Sequence, residues 1–267
     1  MNILLFEQHE LDRSNTNRLV LTDHRARHIH TVLMSKPGDT LRIGMVNGKM
    51  GQGEVISMVD QMDGQAVELE VQLSPVNSPA PPLPEVELIL ALPRPIMLQR
   101  IVKQATVMGV RRFHLIRSAK VEKSFFQTPV LQPDKIKELL LEGLTQAVDT
   151  RLPEVLIHHR FKPFVQDTVP TLIGDGLLAH PGVTASLPDI WLHREQKEQN
   201  ILQENLQEQE RKILLAVGPE GGWNDFEVEN FLEQGFSAFS LGNRILHVDT
   251  AVVALLAQLQ LLRAIQP

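Results

Sequence analysis

The 267 residues carry 32 acidic and 26 basic side chains, a formal net charge of −6, and no cysteine. Disulfides, thiolate nucleophiles and cysteine-based zinc sites are therefore excluded, and since the ten histidines form no HExxH pair, the sequence predicts no metal. No apolar run is long enough to cross a bilayer and the first residues lack a secretory pattern, so we expect a cytoplasmic protein without a membrane partner.

The first part of the chain predicts a small β domain. Residues 1–74 contain short runs in which apolar and polar residues alternate, separated by Asn-Gly and Asp-Gly turns. This spacing is typical of antiparallel strands with one buried face. Five prolines follow within residues 75–85, and because proline neither continues a helix nor donates to a sheet, this stretch predicts an interdomain linker.

Residues 86–267 predict an α/β domain. Strand-like runs lie at 85–93, 110–118, 176–181, 212–219 and 236–241, and helix-like runs at 95–109, 133–148, 225–234 and 250–265. Such alternation predicts a mostly parallel sheet covered on both faces. The charged, glutamine-rich segment 194–212 is expected to be an exposed helix or loop without chemistry.

A basic segment departs from the acidic average. Between residues 94 and 123, a single acid, Glu122, stands against eight basic residues: Arg94, Arg100, Lys103, Arg111, Arg112, Arg117, Lys120 and Lys123. A defined site for a polyanion explains this cluster, and so does a solvated face balanced by acids elsewhere in the fold. The sequence leaves both interpretations open.

Three loops follow predicted strands in the last third of the chain. They are LAHPG (178–182), VGPEGGWN (217–224) and LGNRILHVDT (241–250). Because parallel sheets bind ligands beyond the carboxyl ends of their strands, these loops are the candidate site. The middle loop lacks both GxGxxG and the P-loop lysine, and Glu220 disfavours a phosphate there.

Several residues of these loops have a structural explanation. Asn224 and Glu227 predict a capping box that opens the following helix, and a glycine at 235 predicts its end. Either Asp249 or Thr250 is the expected N-cap of the last helix. Arg244 has no such role, so it must reach solvent, a carboxylate or a bound group.

VGPEGGWNDFE, LGNRILHVDTA and the upstream LLAHP together resemble the RsmE family of SPOUT-class methyltransferases, which use S-adenosylmethionine to methylate N3 of a uridine in small-subunit (16S) ribosomal RNA. RARHIHTVLMSKPGD is similar to the start of the family's PUA-like RNA-binding domain, so the resemblance covers nearly the whole chain. It implies a PUA-like domain over 1–74, a SPOUT domain over 86–267 with a trefoil knot over about 175–267, and a homodimer with the site at the subunit interface.

The resemblance also implies which residues form the site. Main-chain groups of the three loops would hold S-adenosylmethionine, at Leu178, Ala179, His180, Pro181, Gly218, Pro219, Glu220, Gly221, Gly222, Leu241, Gly242, Ile245, Leu246 and Thr250. The RNA would be contacted by Arg25, Arg27, His28, Lys103, Lys120, Lys123 and Arg151.

Methylation of uridine N3 requires removal of its proton. Arg244 is the expected stabiliser of the developing anion, and Glu220 and Asp249 are the candidate proton acceptors, with the base left unassigned. The family's RILRTETA is RILHVDTA here, so His247 and Asp249 replace an arginine and a glutamate. Other departures from the family pattern fall at Met34, Val107 and Thr145.

Other functions stay open at this point. Within the same class, the enzyme could act on a ribose 2′-hydroxyl or on another base. A non-catalytic RNA-binding assembly factor is also compatible with the fold. A Rossmann-like oxidoreductase is disfavoured, because GxGxxG is missing and the glycine-rich loop lies near the end of the chain.

Overall fold

The structure is a computed structural model that describes residues 2–12, 17–61, 64–74, 85–192 and 212–265. The chain divides into two compact units, Met1–Ala80 with Leu141–Leu152, and Pro81–Leu140 with Pro153–Pro267. Residues 75–84 of the predicted linker and 194–211 of the predicted exposed segment lie outside the described residues. The sequence placed residues 141–152 in the second domain, whereas the structure groups them with the first unit.

The N-terminal unit is a five-stranded sheet with one α-helix, α1 (His24–Thr31). Its strands are β1 (Leu4–Phe6), β2 (Arg18–Leu21), β3 (Thr40–Met45), β4 (Met50–Gln61) and β5 (Gly64–Leu73), in the order β1-β3-β4-β5-β2. The β3, β4, β5 and β2 pairings are antiparallel as predicted, but β1 pairs parallel with β3. The prediction of a purely antiparallel unit was therefore wrong at β1, because β2 and α1 intervene before β3 and so no hairpin joins the pair.

The two faces of β1 are buried against different partners. Leu4 and Phe6 join one core with α1 and the other strands, while Ile3 and Leu5 pack with Leu144. Leu144 belongs to the segment 141–152, which is therefore part of this unit's core.

Polar contacts fix the same segment. The Thr150 hydroxyl donates to the carbonyl oxygen of Gly48 over 2.7 Å, and the Asn47 side chain accepts from the Leu152 amide over 2.9 Å. A Cβ on Gly44 would lie 2.6 Å from the Thr150 methyl, so a glycine is needed at this approach.

The C-terminal unit is built on a six-stranded, all-parallel sheet, which confirms the predicted α/β class. Its order is β11-β9-β10-β6-β7-β8. The strands are β6 (Val86–Ala91), β7 (Arg112–Ile116), β8 (Glu154–His158), β9 (Asp175–Ala179), β10 (Ile213–Val217) and β11 (Ser237–Phe239). Strand β8 was not predicted, because LPEVLIHHR mixes polar residues into a short apolar run.

Four helices lie where helix-like runs were predicted: α2 (Pro95–Val107), α3 (Pro133–Ala147), which runs into the segment grouped with the N-terminal unit, α6 (Asp225–Glu233) and α7 (Val248–Ala264). Two short helices were not predicted: α4 (Phe161–Pro163) and α5, which starts at residue 187 and is described to 192. A π-helical turn (Phe164–Thr168) and a 3-10 turn (Val169–Thr171) continue α4. Further 3-10 turns lie at Gln8–Glu10, Lys123–Gln127 and Pro129–Leu131.

Helix α7 begins two residues earlier than predicted. His247 is its N-cap residue, and the His247 side chain accepts no capping hydrogen bond. Asp249 and Thr250 lie in the first turn, so the predicted capping role was wrong. The helix packs on α2, and the Gln260 side chain donates to the carbonyl oxygen of Met108 over 2.9 Å. Across the residues described, no helix is both long and apolar enough to span a membrane.

Candidate functional site

The three predicted loops leave one edge of three adjacent strands. Strand β9 lies between β10 and β11, and its last residue, Ala179, pairs with Val217 of β10 and with Phe239 of β11. Since all three strands are parallel, residues 180–182, 218–224 and 240–247 start from the same level of the sheet. The fold therefore brings together the loops that the sequence singled out.

Main-chain hydrogen bonds join the first loop to the third. The His180 amide donates to the Phe239 carbonyl oxygen over 2.9 Å, and the Ser240 amide donates to the Ala185 carbonyl oxygen over 2.8 Å. Ser186 also forms an isolated parallel bridge with Ser240. These bonds continue the sheet pairing into the loops and hold them side by side.

The glycines of the middle loop have different roles. Without side chains at Gly218 and Gly221, Trp223 and Lys120 can approach: a Cβ would lie 3.3 Å from the Trp223 ring in the first case and 2.9 Å from Lys120 Cδ in the second. Gly222 has φ +68° and its amide donates to the Pro219 carbonyl oxygen over 2.8 Å, closing a tight turn. Two of these glycines thus make room for protein atoms, whereas the sequence assigned all three to ligand approach.

Neighbouring loops hold this turn from both ends. The Glu220 carboxylate accepts from the amide of Arg94, the N-cap residue of α2, over 3.0 Å. The Lys120 ammonium donates to the Gly221 carbonyl oxygen over 2.7 Å. The loops after β6 and β7 therefore support the glycine-rich turn after β10.

Glu227 is a buried anchor as well as a capping residue. The predicted capping box is confirmed, since Asn224 Oδ1 accepts from the Glu227 amide over 2.8 Å and the Glu227 carboxylate accepts from the Asn224 amide over 3.1 Å. The same carboxylate accepts from the Ala119 amide over 2.7 Å and from the Ser118 hydroxyl over 3.3 Å. A residue that the sequence assigned only to a helix cap thus ties α6 to the loop after β7.

The third loop is exposed over residues 242–247. Arg244 makes no ion pair with any residue that the structure describes, and Ile245 is 88% exposed. Gly242 has φ +120° and open space where a Cβ would lie. An unpaired arginine and exposed apolar residues on one loop leave these groups available to a ligand or to a second chain.

Asp249 is engaged within the chain. Its carboxylate lies 3.5 Å from an Arg100 guanidinium nitrogen and accepts from the Thr250 amide over 2.9 Å. Of the predicted catalytic residues, Arg244 and Glu220 are exposed, whereas the Asp249 side chain is 14% exposed.

One polar atom at the first loop lacks a partner. The Nδ1 atom of His180 is buried and makes no hydrogen bond within the described chain. Burying a polar atom without a partner is costly, and a polar ligand atom would remove that cost. The predicted cofactor loops thus contain both open main chain and an unsatisfied polar group.

Some of the predicted RNA-binding residues are engaged within the chain, and others are exposed. Arg25 is engaged by Glu10 and Asp23 and donates to the Leu5 carbonyl oxygen over 2.8 Å, so its charge is used within the N-terminal unit. Arg27 and Lys123 are exposed, and their side chains make no ion pair with a residue that the structure describes, while His28 and Lys103 are half-buried and take part in contacts. Arg151 lies 3.5 Å from Asp149.

The basic segment 94–123 does not form one patch. Arg111 and Arg112 lie at the amino end of β7, whereas Arg117 and Lys120 follow its carboxyl end. Arg112 pairs with Glu154 over 2.7 Å and with Glu87 over 3.0 Å. The strand therefore separates the ion-paired Arg112 at one edge of the sheet from Arg117 and Lys120 at the edge with the loops, where Lys120 supports the glycine-rich turn.

A buried polar cluster lies beneath the sheet edge near Arg112. Glu87 and His114 are 3.1 Å apart, and His114 Nδ1 lies 3.2 Å from His158 Nε2. Burial alone would raise the pKa of Glu87, but the hydrogen bond from His114 and the charge of Arg112 outweigh it and lower that pKa. Burial lowers the pKa of His158, and the neighbouring His114 lowers it further.

Comparisons with known proteins agree with this geometry. A family model described as RNA methyltransferase domain matches residues 80–260. Ribosomal RNA small subunit methyltransferase E of Treponema pallidum is 26% identical over 259 residues, covering 95% of this chain and 88% of that protein. The Synechocystis protein of the same name is 27% identical over 244 residues, covering 91% and 73%.

Solved structures share the fold over 98% of both chains. Ribosomal RNA small subunit methyltransferase E from Neisseria gonorrhoeae, bound to S-adenosylmethionine, has a TM-score of 0.70 at 19% identity. A Legionella pneumophila protein in complex with the same cofactor has a TM-score of 0.71 at 19% identity. At this identity the likeness concerns the fold.

Proposed function

This chain belongs to the RNA methyltransferase domain family, and on that premise we propose that it transfers a methyl group from S-adenosylmethionine to N3 of a uridine in small-subunit (16S) ribosomal RNA. The substrate class comes from relatives named ribosomal RNA small subunit methyltransferase E. The cofactor comes from similar proteins solved with it. The uridine N3 target rests on the RsmE-type motifs GPEGG and LGNRIL.

The convergence of three loops carries the proposal. Strands β9, β10 and β11 deliver the loops to one edge of the sheet, and main-chain bonds at His180 and Ser240 hold two of them together. A site made largely of main chain suits a ligand with a neutral heterocycle and no phosphate. The sequence also lacks GxGxxG and a P-loop lysine, which agrees with a ligand that has no phosphate.

We assign cofactor binding to the residues that the family resemblance implied. His180, Gly221 and Gly242 represent the three loops: the first has an unsatisfied ring nitrogen, the second lies in the turn held by Lys120, and the third faces open space. When bound, S-adenosylmethionine supplies an electrophilic methyl group. The chain's part is to hold it in line with the attacking nitrogen.

Arg244 is the residue that we propose to act on the RNA base. Its guanidinium is permanently charged, exposed and without an ion pair in the described chain, so it is available to stabilise the anion that forms as uridine N3 loses its proton. Glu220 and Asp249 are the proposed proton acceptors. Both carboxylates already have a partner within the chain, Asp249 in Arg100 and Glu220 in the Arg94 amide, and Glu220 is the more exposed of the two.

The remaining family features are proposed on specific grounds. A C-terminal trefoil knot is supported by the strand order β11-β9-β10 and by the bonds between their loops. A PUA-like RNA-binding role is supported by the β-rich N-terminal unit with exposed Arg27. A homodimer is supported by Leu261 of α7 and by Ile265, the C-cap residue of that helix, which are 60% and 67% exposed. A crystal structure with the cofactor would test all three.

Nucleoside mapping tests the proposed reaction. The full chain is incubated with methyl-labelled S-adenosylmethionine and with small ribosomal subunits, or their free RNA, from cells lacking this activity. We expect 3-methyluridine after digestion, identified by chromatography and mass spectrometry. The same assay on Glu220→Gln and Asp249→Asn identifies the proton acceptor, since only its loss should abolish transfer while cofactor binding persists.

The rival functions give different outcomes in this assay. Detection of a 2′-O-methylated nucleoside or of another methylated base would show that the protein is an RNA methyltransferase with a target other than uridine N3. Failure to bind S-adenosylmethionine in calorimetry, together with no transfer, would favour a non-catalytic RNA-binding factor.

A further inference from the structure

A cleft of about 310 Å³ opens beside the first turn of α6, at the carboxyl ends of β7 and β8. Its walls include Arg117, Ser118, His159, Arg160, Phe161 and Phe226. None of these residues belongs to the proposed cofactor, catalytic or RNA-binding sets. The cleft therefore needs an explanation of its own.

Two arginines lie at the same level of the sheet. Arg117 directly follows β7 and Arg160 follows β8 by one residue, and the Arg117 amide donates to the His158 carbonyl oxygen over 3.0 Å. Neither guanidinium forms an ion pair with a residue that the structure describes. Since arginine stays charged at all working pH values, two such groups at one cleft attract an anion.

Aromatic rings line the same cleft. Phe226 is 46% exposed, and its ring centroid lies 6.2 Å from that of Phe161. Phe161 is held in turn by an edge-to-face contact with Phe231 at 5.6 Å. The Lys162 ammonium lies 5.4 Å from the Phe226 ring centroid and adds a third cation. An exposed ring beside a supported one provides a surface for stacking a planar group.

Glu227 is the acidic residue in the wall of the cleft, and internal hydrogen-bond donors occupy its carboxylate. Glu227 is 1% exposed, and its carboxylate accepts from the Ala119 amide, the Ser118 hydroxyl and the Asn224 amide. Its charge is therefore largely satisfied by internal donors. What the cleft presents outward is the pair of arginines and the aromatic rings.

We propose that this cleft binds one unpaired nucleotide of the RNA substrate, with the base against Phe226 and Phe161 and a phosphate between Arg117 and Arg160. Aromatic rings with basic side chains are the common means of binding single-stranded nucleic acid. The volume lies at the lower end of the roughly 300–1,000 Å³ typical of ligand sites, which suits one nucleotide. In a duplex the bases are already stacked, so the site selects single strands.

Binding of a short RNA tests this inference, which rests on the proposed function for its choice of RNA. Affinities for a fluorescent single-stranded oligonucleotide and for its duplex are measured by anisotropy. Phe226→Ala should weaken single-strand binding about tenfold, the loss expected on removing one stacking ring, and leave the duplex unchanged. Leu232→Ala is the matched control, because Leu232 lies on the same helix and is also 46% exposed.

A charge variant tests the phosphate contact. Arg160→Ala should reduce single-strand affinity and lower the slope of log affinity against log salt by about 0.7, as expected for one lost phosphate contact. Lys135→Ala, which removes an equal charge from the exposed side of α3, should leave the slope unchanged. Circular dichroism melts of all variants confirm that the fold is retained.

The outcomes separate this inference from the proposed activity. If the wild type methylates RNA but Phe226→Ala and Arg160→Ala bind single strands like the wild type, the cleft is not an RNA site and the activity stands. If the wild type transfers no methyl group while both variants lose single-strand affinity, the cleft stands and the activity falls. If the variants lost equal affinity for the single strand and for the duplex, the proposal that the cleft binds an unpaired nucleotide would be wrong.

Discussion

Lys120 and Gly221 form a bridge across the sheet. The Lys120 ammonium donates to the Gly221 carbonyl oxygen over 2.7 Å, and its Cδ lies 2.9 Å from the position that a Cβ on Gly221 would take. Lys120 follows β7 and Gly221 follows β10, and β6 lies between these strands. One side chain therefore sets the position of the glycine-rich turn from two strands away.

Replacing Lys120 with methionine should weaken the binding of S-adenosylmethionine. The aliphatic chain is kept, but the hydrogen bond of about 1 kcal/mol is lost, so the dissociation constant should rise about fivefold in calorimetry without RNA. Lys123→Met, three residues along and exposed, is the control. An unchanged cofactor affinity together with weaker RNA binding would assign Lys120 to the RNA alone.

Arg244→Ala should lose methyl transfer and keep the cofactor. Removing the group that stabilises a developing anion lowers the rate by about 10²-fold or more, whereas cofactor binding through main-chain atoms should change less than twofold. Arg244→Lys keeps the charge without the planar donor fork and should recover only part of the rate. Single-turnover kinetics give the rate and calorimetry the affinity. Unchanged turnover in the alanine variant would remove Arg244 from the mechanism.

Glu227→Gln should destabilise the C-terminal unit. Three hydrogen-bond donors face the Glu227 carboxylate. In the glutamine variant the side-chain NH2 group would face at least one of these donors, and the lost hydrogen bond should cost about 2 kcal/mol. The melting temperature should fall by roughly 4–8 °C. Glu229→Gln, exposed on the same helix, should stay within about 0.5 kcal/mol of the wild type. Equal melting temperatures for both variants would contradict the anchoring role.

The stability of the C-terminal unit should fall as the pH is lowered. Burial holds the pKa of His158 below its ordinary 6.5, so the unfolded chain takes up a proton there that the folded chain does not, and stability is lost as the pH falls below about 6.5. The pKa of Glu87 is also lowered, which adds a further loss below about 4.5.

Thermal melts between pH 7.5 and pH 5 measure this effect. In the wild type the ring centroids of His158 and Phe164 are 4.5 Å apart. The variant His158→Phe keeps an aromatic ring at this position, and its melting temperature should depend less on pH above pH 5. The same slope in the variant and the wild type would show that other groups produce it.

Leu261→Glu should disrupt the proposed homodimer. A charge in the middle of a buried interface is costly, so the variant should elute as a species of about 30.0 kDa in light scattering, while the wild type has twice that mass. Ile173→Glu is the control, because Ile173 is 86% exposed but lies outside α7. A monomeric wild type would exclude the dimer.

The sequence predicted the C-terminal unit well because its signals are local. Buried parallel strands appear as continuous apolar runs, and Gly109 and Gly235 end their helices with positive φ values, as their positions indicate. The capping box at Asn224 and the three loops were found for the same reason. Strand β8 was missed because polar residues interrupt its short apolar run, and as an edge strand it has no fully buried residue.

Contacts between distant segments could not be predicted in this way. No local pattern indicates that Arg94 donates to Glu220, that Glu227 accepts from Ala119, or that Arg25 pairs with Glu10. The cleft is also formed by segments that are distant in the sequence, namely the residues after β7 and β8 and the first turn of α6. In the sequence the cleft is indicated only by two arginines near strand ends, Arg117 directly after β7 and Arg160 two positions after the end of β8.

The contribution of residues 141–152 to the N-terminal unit affects how the protein is synthesised. Ile3 and Leu5 are synthesised about 140 residues before their packing partner Leu144. At roughly 5–20 residues per second, the nascent chain exposes these apolar side chains for about 7–28 seconds. The core of the N-terminal unit therefore cannot be completed during translation until residues 141–152 have been made.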